Sequence, residues 1–551
     1  MADFTILRFN DCNRTLLAGI SRHKQWLFLW GAAVLLLFWN LGTGAFSPLE
    51  CSVAAAAQDY MSNPELMPEK NRFLIRLIWL FSSPVRFVTE TTARMPAAMG
   101  ALFVLGAVVA IAHKLAGRQT AIASGWFCLT LTGFLSSGRM VTDEMTFCAL
   151  TLWSIAIYLF SREKFTLCSS LLFWLLTAFF FYAGGVFALF PVLIMVLDCS
   201  LNARVSTLYN WRNLTGLLAG IGFYLLFHFF CDFRCTDSGI FLHTDFSRIV
   251  GMSLPWLPLI VLAFFDLGKR RKLSSDFRLL YYWFLIAACS TFFLKNTALP
   301  LLGISSIFCG IMMTSAAVTI PQLISKLLFR LADALMPLVA AALLITPFLF
   351  KWLGPRYLVN GVSYPNWFVA VFYFGAPLTG VLIFIWQSLL LRRKKQKKSL
   401  PEICSADPVP DRVIPVAALI LLIFYAIIFP SAASDGAFAS RKPFLMQTKT
   451  LLQKQYGMKA PQCIYLIPGD AVAEGKMYLR TDDPALPVRI LADRADYEKL
   501  KKQSGGALIG TRADFARYGI GLDGIVLNEP LTLSDQASQA GDKLAVLLIL
   551  K

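Results

Sequence analysis

Long apolar runs dominate this chain and leave few folds open to it. "WLFLWGAAVLLLFW" covers 26–39, "PAAMGALFVLGAVVAIA" covers 96–112, and "VAALILLIFYAIIF" covers 416–429. About 20 apolar residues cross a bilayer as a helix. Inside lipid, only helices and closed barrels satisfy their own backbone hydrogen bonds. Thirteen such runs are read here, near 26–45, 95–113, 119–136, 143–161, 165–181, 184–198, 213–231, 250–267, 279–294, 297–317, 333–350, 366–390 and 413–431. The fifth and sixth are short and joined by Tyr182-Ala183-Gly184-Gly185, which reads as a tight turn.

Composition agrees. Charged residues make up 15% of the 551, against about a quarter in soluble domains. The net charge of +18 does not indicate nucleic acid, because much of it sits in short loops between apolar runs, where it orients the chain. No small-residue cleavage site follows the first run, so that run is expected to be a retained span. Most of the twelve cysteines lie in apolar segments, where a lone cysteine acts as a small hydrophobe. Cys231 and Cys235 share a polar loop and are a candidate disulfide.

Basic residues cluster at alternate ends of the runs: Arg22 and Lys24, Lys114 and Arg118, Arg162 and Lys164, Arg204 and Arg212, Lys269 to Lys272, Lys326 and Arg330, and Arg392 to Lys398. The positive-inside rule puts these loops and the amino terminus in the cytoplasm and the carboxyl terminus outside. The first outer loop, 46–94, breaks the rule with Lys70, Arg72, Arg76, Arg86 and Arg94. In "NRFLIRLIWLFSSPVRFV", Phe73, Leu74, Leu77, Ile78 and Phe81 recur at helical spacing, the pattern of a helix in the membrane interface.

After residue 431 the composition becomes mixed. "CIYLI", "PVRIL", "ALIGT", "GIVLN" and "KLAVLLIL" read as short buried strands, and "PFLMQTKTLLQKQY" and "RADYEKLKKQ" as helices. The expected fold is a polytopic α-helical membrane protein, 1–431, followed by a small soluble α/β domain, 432–551.

Ionisable groups at membrane level are costly and mark function by default. Three clusters qualify. "SPLECSVAAAAQDYM" carries Glu50 and Asp59, about 180° apart on a helix of 3.6 residues per turn and so not a carboxylate pair. Asp59 reads as a solvated helix face. Glu50 reads either as a helix N-terminal acid or as a functional group. "MPEKNR" carries Lys70, a point charge suited to phosphate, beside Glu69, which could orient the lysine, hold a hydroxyl or join a metal. "SSGRMVTDEMTFCAL" places Asp143 and Glu144 at the head of an apolar run. Thr142 or Asp143 is a candidate cap there, and Arg139 a candidate partner for Asp143. His243, in the same loop as the two cysteines, is a candidate to join Glu69 at a divalent metal.

These stretches resemble one family. "PEKNRFLIRLIWLFS" looks like the Glu-Lys-Pro segment in the first periplasmic loop of aminoarabinose transferase-like glycosyltransferases of the C type. "TARMPAAMGALFVL" resembles their Ala-Arg-Leu-Pro-Ser-Ala segment, with Arg94 and Pro96 in place. "SSGRMVTDEMTFCALTLW" resembles the segment in which an outer-facing Asp opens a span, with Asp143 matching that Asp. "FLKNTALPLLGISS" loosely resembles their Lys-Leu-Pro segment, with Lys295 in place. Two departures stand out. Leu49 occupies the place of the family's first-loop Asp, its base or orienting acid. Asn71 occupies the place of the proline after the lysine. Glu50 replaces the missing acid, or the reaction needs no base, or activity is lost.

The resemblance implies transfer of a sugar from a polyprenyl (undecaprenyl) phosphate carrier, outside the bacterial cytoplasmic membrane and without a nucleotide, to lipid A, a glycan or a protein. Asp143 and Glu50 would be the catalytic acids. Lys70 and Arg94, with Arg72 and Lys295, would hold the carrier phosphate, and Glu69 and Arg139 would orient or bind substrate. A transporter or flippase of a lipid-linked sugar, or a silent lipid-binding relative, is the alternative. Membrane lipid is the implied environment and nucleic acid is not an implied partner.

Overall fold

The computed structural model describes residues 25–314, with breaks at 40, 43–45, 68–70, 164–165, 185–187, 203–205, 207, 231–245, 254–255, 273 and 294–297. It also describes 345 and the segments 444–450, 464–468, 472–479, 488–491, 496–498, 506–520, 525–528 and 544–549. The apolar runs at 333–350, 366–390 and 413–431 therefore lie outside the described residues, Ile345 apart.

The first part is a helical bundle. α1 is Gln25–Phe38. α2 (Pro48–Ser62) and α3 (Arg72–Ser82) form the first loop, and α4 is Glu90–Leu129. α5 (Thr132–Ser137), α6 (Glu144–Ser161), α7 (Leu167–Gly184), α8 (Leu189–Leu201) and α9 (Trp211–Phe230) follow. α10 (Phe246–Ser253), α11 (Leu257–Arg270), α12 (Ser275–Phe293) and α13 (Ala298–Thr314) complete the described bundle. Among the described residues, α4 and α6 are long and apolar enough to cross a membrane.

α4 contains two of the expected runs. Gly117, at φ 85° and ψ −178°, interrupts its helix; an L side chain rarely adopts that backbone conformation. The second run ends sooner than expected, at Thr130, and α5 starts separately at Thr132. The bundle core is continuous: Trp126, Tyr158, Trp283 and Phe308 are among its fully buried side chains. Small residues bring helices together. A Cβ on Gly100 of α4 would sit 3.0 Å from backbone atoms of Met145 and Thr146 in α6.

At the end of the bundle away from the first loop, polar groups clamp three helices. Tyr158 donates to Asp198 at 2.7 Å, Asn202 donates to the same carboxylate at 2.6 Å, and Arg162 pairs with Asp276. This ties the end of α6 to α8 and α12.

The five stretches read as strands are strands: β1 (Ile464–Leu466), β2 (Val488–Ile490), β3 (Gly506–Thr511), β4 (Ile525–Asn528) and β5 (Leu544–Ile549). They form one sheet of order β2-β1-β3-β5-β4. β1 pairs parallel with β2 and β3, whereas β5 pairs antiparallel with β3 and β4. Helices α14 (Val472–Leu479) and α15 (Arg512–Arg517) accompany it. Alternation along the strands separates two apolar faces. Ile464, Leu466, Ala507 and Ile509 face one cluster, and Leu508 with Leu491 and Phe515 the other.

The first of those clusters places the first loop. It combines Cys51, Ala54 and Ala57 of α2, Leu74 and Ile78 of α3, Ala93 of α4 and Val141 with Ile464, Leu466, Met477 and Tyr478. Fully burying one Leu, Ile or Met is worth about 1.5–3 kcal/mol, so this shared core binds the sheet to the loop. The face predicted for α3 is largely the buried one, with Phe73, Leu74 and Ile78 buried. It packs into protein: the Phe73 and Phe147 rings stack with centroids 5.7 Å apart. Trp79 and Leu80 are left exposed.

Candidate functional site

The site is built from the start of α2. Ser47 is the N-cap, Pro48 occupies the first turn and Glu50 completes a capping box. The Glu50 amide donates to Ser47 Oγ at 3.4 Å, and the Ser47 amide donates back to Glu50 Oε2 at 2.9 Å. Proline suits the first turn because its missing donor would have no helical partner there.

The same carboxylate reaches two other elements. Arg94 Nε donates to Oε1 and Arg94 Nη2 to Oε2, each at 3.2 Å. The Val141 amide donates to Oε1 at 2.9 Å. Glu50 thus accepts four hydrogen bonds, two per oxygen, and is buried at 6% exposure. A carboxylate has about four lone-pair sites, so these bonds use its capacity. Glu50 is thus the helix N-terminal acid of α2, with an ion pair to Arg94 added.

Arg94 is also buried. Its Nη1 donates to Leu41 O at 3.1 Å, and its guanidinium carbon lies 5.4 Å from the centroid of the Phe46 ring. These contacts direct the side chain to the first loop.

Asp143 presents a different picture. It stands at the N-cap position of α6, but with helical φ and ψ and no side-chain cap bond. Thr142 Oγ1 accepts the Glu144 amide at 3.2 Å instead. Capping therefore does not account for the Asp143 carboxylate, which is half-buried. Its loop is held by Val141 against Glu50 and, at the first turn of α6, by the close approach of Gly100. Glu50, Arg94 and the Asp143 loop accordingly meet at one end of the bundle.

Other residues make contacts of their own. Arg139 donates from Nη1 to Leu36 O at 2.6 Å and from Nη2 to Trp39 O at 2.9 Å, supplying donors to carbonyls at the end of α1 that a helix leaves unbonded. Asp59 is not on a solvated face: Lys476 Nζ of α14 meets it at 3.1 Å. Arg72 is the first residue of α3 and half-buried. Asn71 before it has φ 57° and ψ 24°. Proline, locked near φ −65°, does not fit that backbone, whereas asparagine visits it with least penalty after glycine. Glu69, Lys70, His243, Lys295, Cys231 and Cys235 lie outside the described residues. Among the described residues no three of His, Cys, Asp and Glu converge as metal ligands would.

No family profile matches the chain, and no curated protein matches it by sequence. The solved structures are more informative. ArnT from Cupriavidus metallidurans bound to undecaprenyl phosphate superposes with a TM-score of 0.64 at 16% identity, over 95% of this chain and 98% of that one. This chain has the ArnT fold. ArnT from the same organism in the apo state gives 0.65 at 16% identity, over 96% and 98%. The sequence resemblance to aminoarabinose transferase-like enzymes is thus matched by architecture along nearly the whole of both chains.

Within this ArnT-like frame, sequence reasoning missed four groups that shape the site. They are the Val141 amide, the Phe46 ring and amide, Tyr478 and Lys476. Tyr478 Oη accepts the Phe46 amide at 2.8 Å across 432 residues of sequence. Gln58 of α2 similarly accepts the Val88 amide at 2.7 Å, tying α2 to the turn before α4. Backbone partners and contacts this remote leave no local pattern. The one usable signal was the Ser-Pro-Leu-Glu run, which has the spacing of a capping box.

Proposed function

We propose that the chain is an integral-membrane glycosyltransferase that moves a sugar from a polyprenyl phosphate carrier to an acceptor at the outer face of the cytoplasmic membrane. The observation that carries this reading is the fold shared, over 95% of the chain, with ArnT bound to undecaprenyl phosphate. The first loop and the Asp143 loop meeting at one end of the bundle support it. The sheet beyond residue 431 is taken as a small periplasmic domain.

The carrier's phosphate is the leaving group. An acceptor oxygen attacks the anomeric carbon, the bond from that carbon to the phosphate oxygen breaks, and polyprenyl phosphate leaves with the electron pair. Lys70, Arg72 and Lys295 are assigned to the growing negative charge on the phosphate. Asp143 is assigned to the acceptor, orienting a hydroxyl and taking its proton. Arg94 and Glu50, engaged with each other, are assigned to hold the mouth in shape. If the acceptor oxygen belongs to a phosphate, it is already ionised and requires no base. That case suits a chain with Leu49 in the place of the family's first-loop Asp. Lipid A, a glycan and a protein remain the acceptor classes. Glu69 and His243 are the residues assigned to a divalent metal, should one bind.

The test is release of free polyprenyl phosphate from a labelled polyprenyl-phosphate sugar by the purified full chain, with acceptor lipids present. Release coupled to a labelled acceptor supports transfer. Movement of the intact lipid-linked sugar across vesicles without release indicates a flippase. Binding without either indicates a silent relative.

A further inference from the structure

We propose that α14 is a positioning element for the mouth of the bundle, and that Tyr478 sets the arrangement of the Asp143 loop through Phe46, Arg94 and Glu50. The catalytic part of the proposal rests on the glycosyltransferase reading, whereas its structural part does not.

The chain of contacts is continuous. Tyr478 Oη accepts the buried Phe46 amide at 2.8 Å. The two rings lie 6.3 Å apart at their centroids. Phe46 is fully buried, and its ring carries the Arg94 guanidinium 5.4 Å from its centroid. Arg94 grips both oxygens of Glu50. Glu50 then accepts the Val141 amide at 2.9 Å, two residues before Asp143. Every link is a hydrogen bond, an ion pair or a ring contact among buried groups.

α14 holds α2 at two places. Tyr478 grips the residue just before its N-cap, and Lys476 pairs with Asp59 in its last turn at 3.1 Å. Apolar burial is itself non-directional. Two directional contacts at its opposite ends fix its register. The physical weight lies in the Phe46 amide: a buried donor with no acceptor costs about 1–3 kcal/mol. Losing the Tyr478 hydroxyl should therefore shift Phe46 and the start of α2 and pass the shift to Val141.

Tyr478→Phe keeps the ring and removes the hydroxyl that accepts the Phe46 amide. In hydrogen exchange on the full chain in detergent, peptides covering 46–51 and 139–143 should both exchange faster than wild type, by about tenfold for a lost buried hydrogen bond. Unchanged exchange at 139–143 overturns the proposal, whatever happens at 46–51. Lys476→Asp should show the same two peptides loosened, and adding Asp59→Lys should restore them. Failure of the swap to restore protection overturns the second grip. In the transfer assay, Tyr478→Phe should lower kcat at least threefold with KM for the carrier unchanged; the opposite split contradicts positioning. The two claims fail separately. A wild-type chain that transfers no sugar sinks the glycosyltransferase reading, while the exchange result still decides whether Tyr478 positions the loop.

Discussion

Arg94 holds both oxygens of the Glu50 carboxylate, Nε on Oε1 and Nη2 on Oε2, at 3.2 Å each, with both side chains buried. The pair joins the start of α2 to the start of α4, and the Val141 amide brings in the head of α6. Such a pair is weak evidence of stability by itself, because desolvation offsets much of the attraction. Removing one partner is another matter.

Glu50→Gln should take from the buried Arg94 charge the carboxylate that grips it through two bonds and cost about 3–5 kcal/mol. Thermal unfolding in detergent should show the loss. Glu50→Gln combined with Arg94→Met should be less destabilised than the two single changes added together. Additive losses would mean that the two side chains do not act as a pair.

Gly100 is the second constraint on the head of α6. Gly100→Leu should destabilise by about 1–3 kcal/mol, the usual cost of overpacking, since even a Cβ there meets the Met145 and Thr146 backbone at 3.0 Å. Gly222 in α9 is the control, because a Cβ there meets nothing within 4 Å. Gly222→Ala should stabilise by up to about 1 kcal/mol through helix propensity. A neutral Gly100→Leu would show that α4 and α6 have room to part.

Asn71 tests the loop that carries Lys70. Asn71→Pro would restore the residue of the resembling family, yet φ is 57° here. The substitution should destabilise by more than about 1 kcal/mol, because proline cannot reach that angle. Asn71→Gly should be nearly neutral. A stable Asn71→Pro variant would indicate a different backbone in this loop.

Lys70→Ala should weaken binding of polyprenyl phosphate without lowering the unfolding temperature. Charge-assisted bonds to phosphate are among the stronger polar contacts, so a loss of roughly tenfold or more in affinity is expected. Wild-type affinity in a folded variant would remove Lys70 from the phosphate site.

Much of this architecture was legible because its signals are local. Apolar runs of helical length and strands such as "ALIGT" announce themselves within a few residues. The break at Gly117 was legible in outcome, as two runs, but not as one glycine at positive φ. The site was legible in part. Glu50, Arg94 and Asp143 were singled out, and the structure brings the loops bearing them together. What Glu50 does there was not legible, because its partners lie 44 and 91 residues away. Asp59 was misread for the same reason: its cation, Lys476, is 417 residues distant. A helix position that looks solvated in isolation is covered once the sheet packs against it.

Asp143 carries the central claim, since it heads α6 two residues after Val141, whose amide ties that loop to Glu50. The most direct measurement compares wild type with Asp143→Asn for both carrier binding and sugar transfer, using one labelled polyprenyl-phosphate sugar. Losing a proton acceptor typically costs about 10²–10⁴ in rate. The account predicts that fall in turnover to a hydroxyl acceptor with carrier affinity unchanged. Transfer at the wild-type rate by a folded Asp143→Asn variant would contradict it.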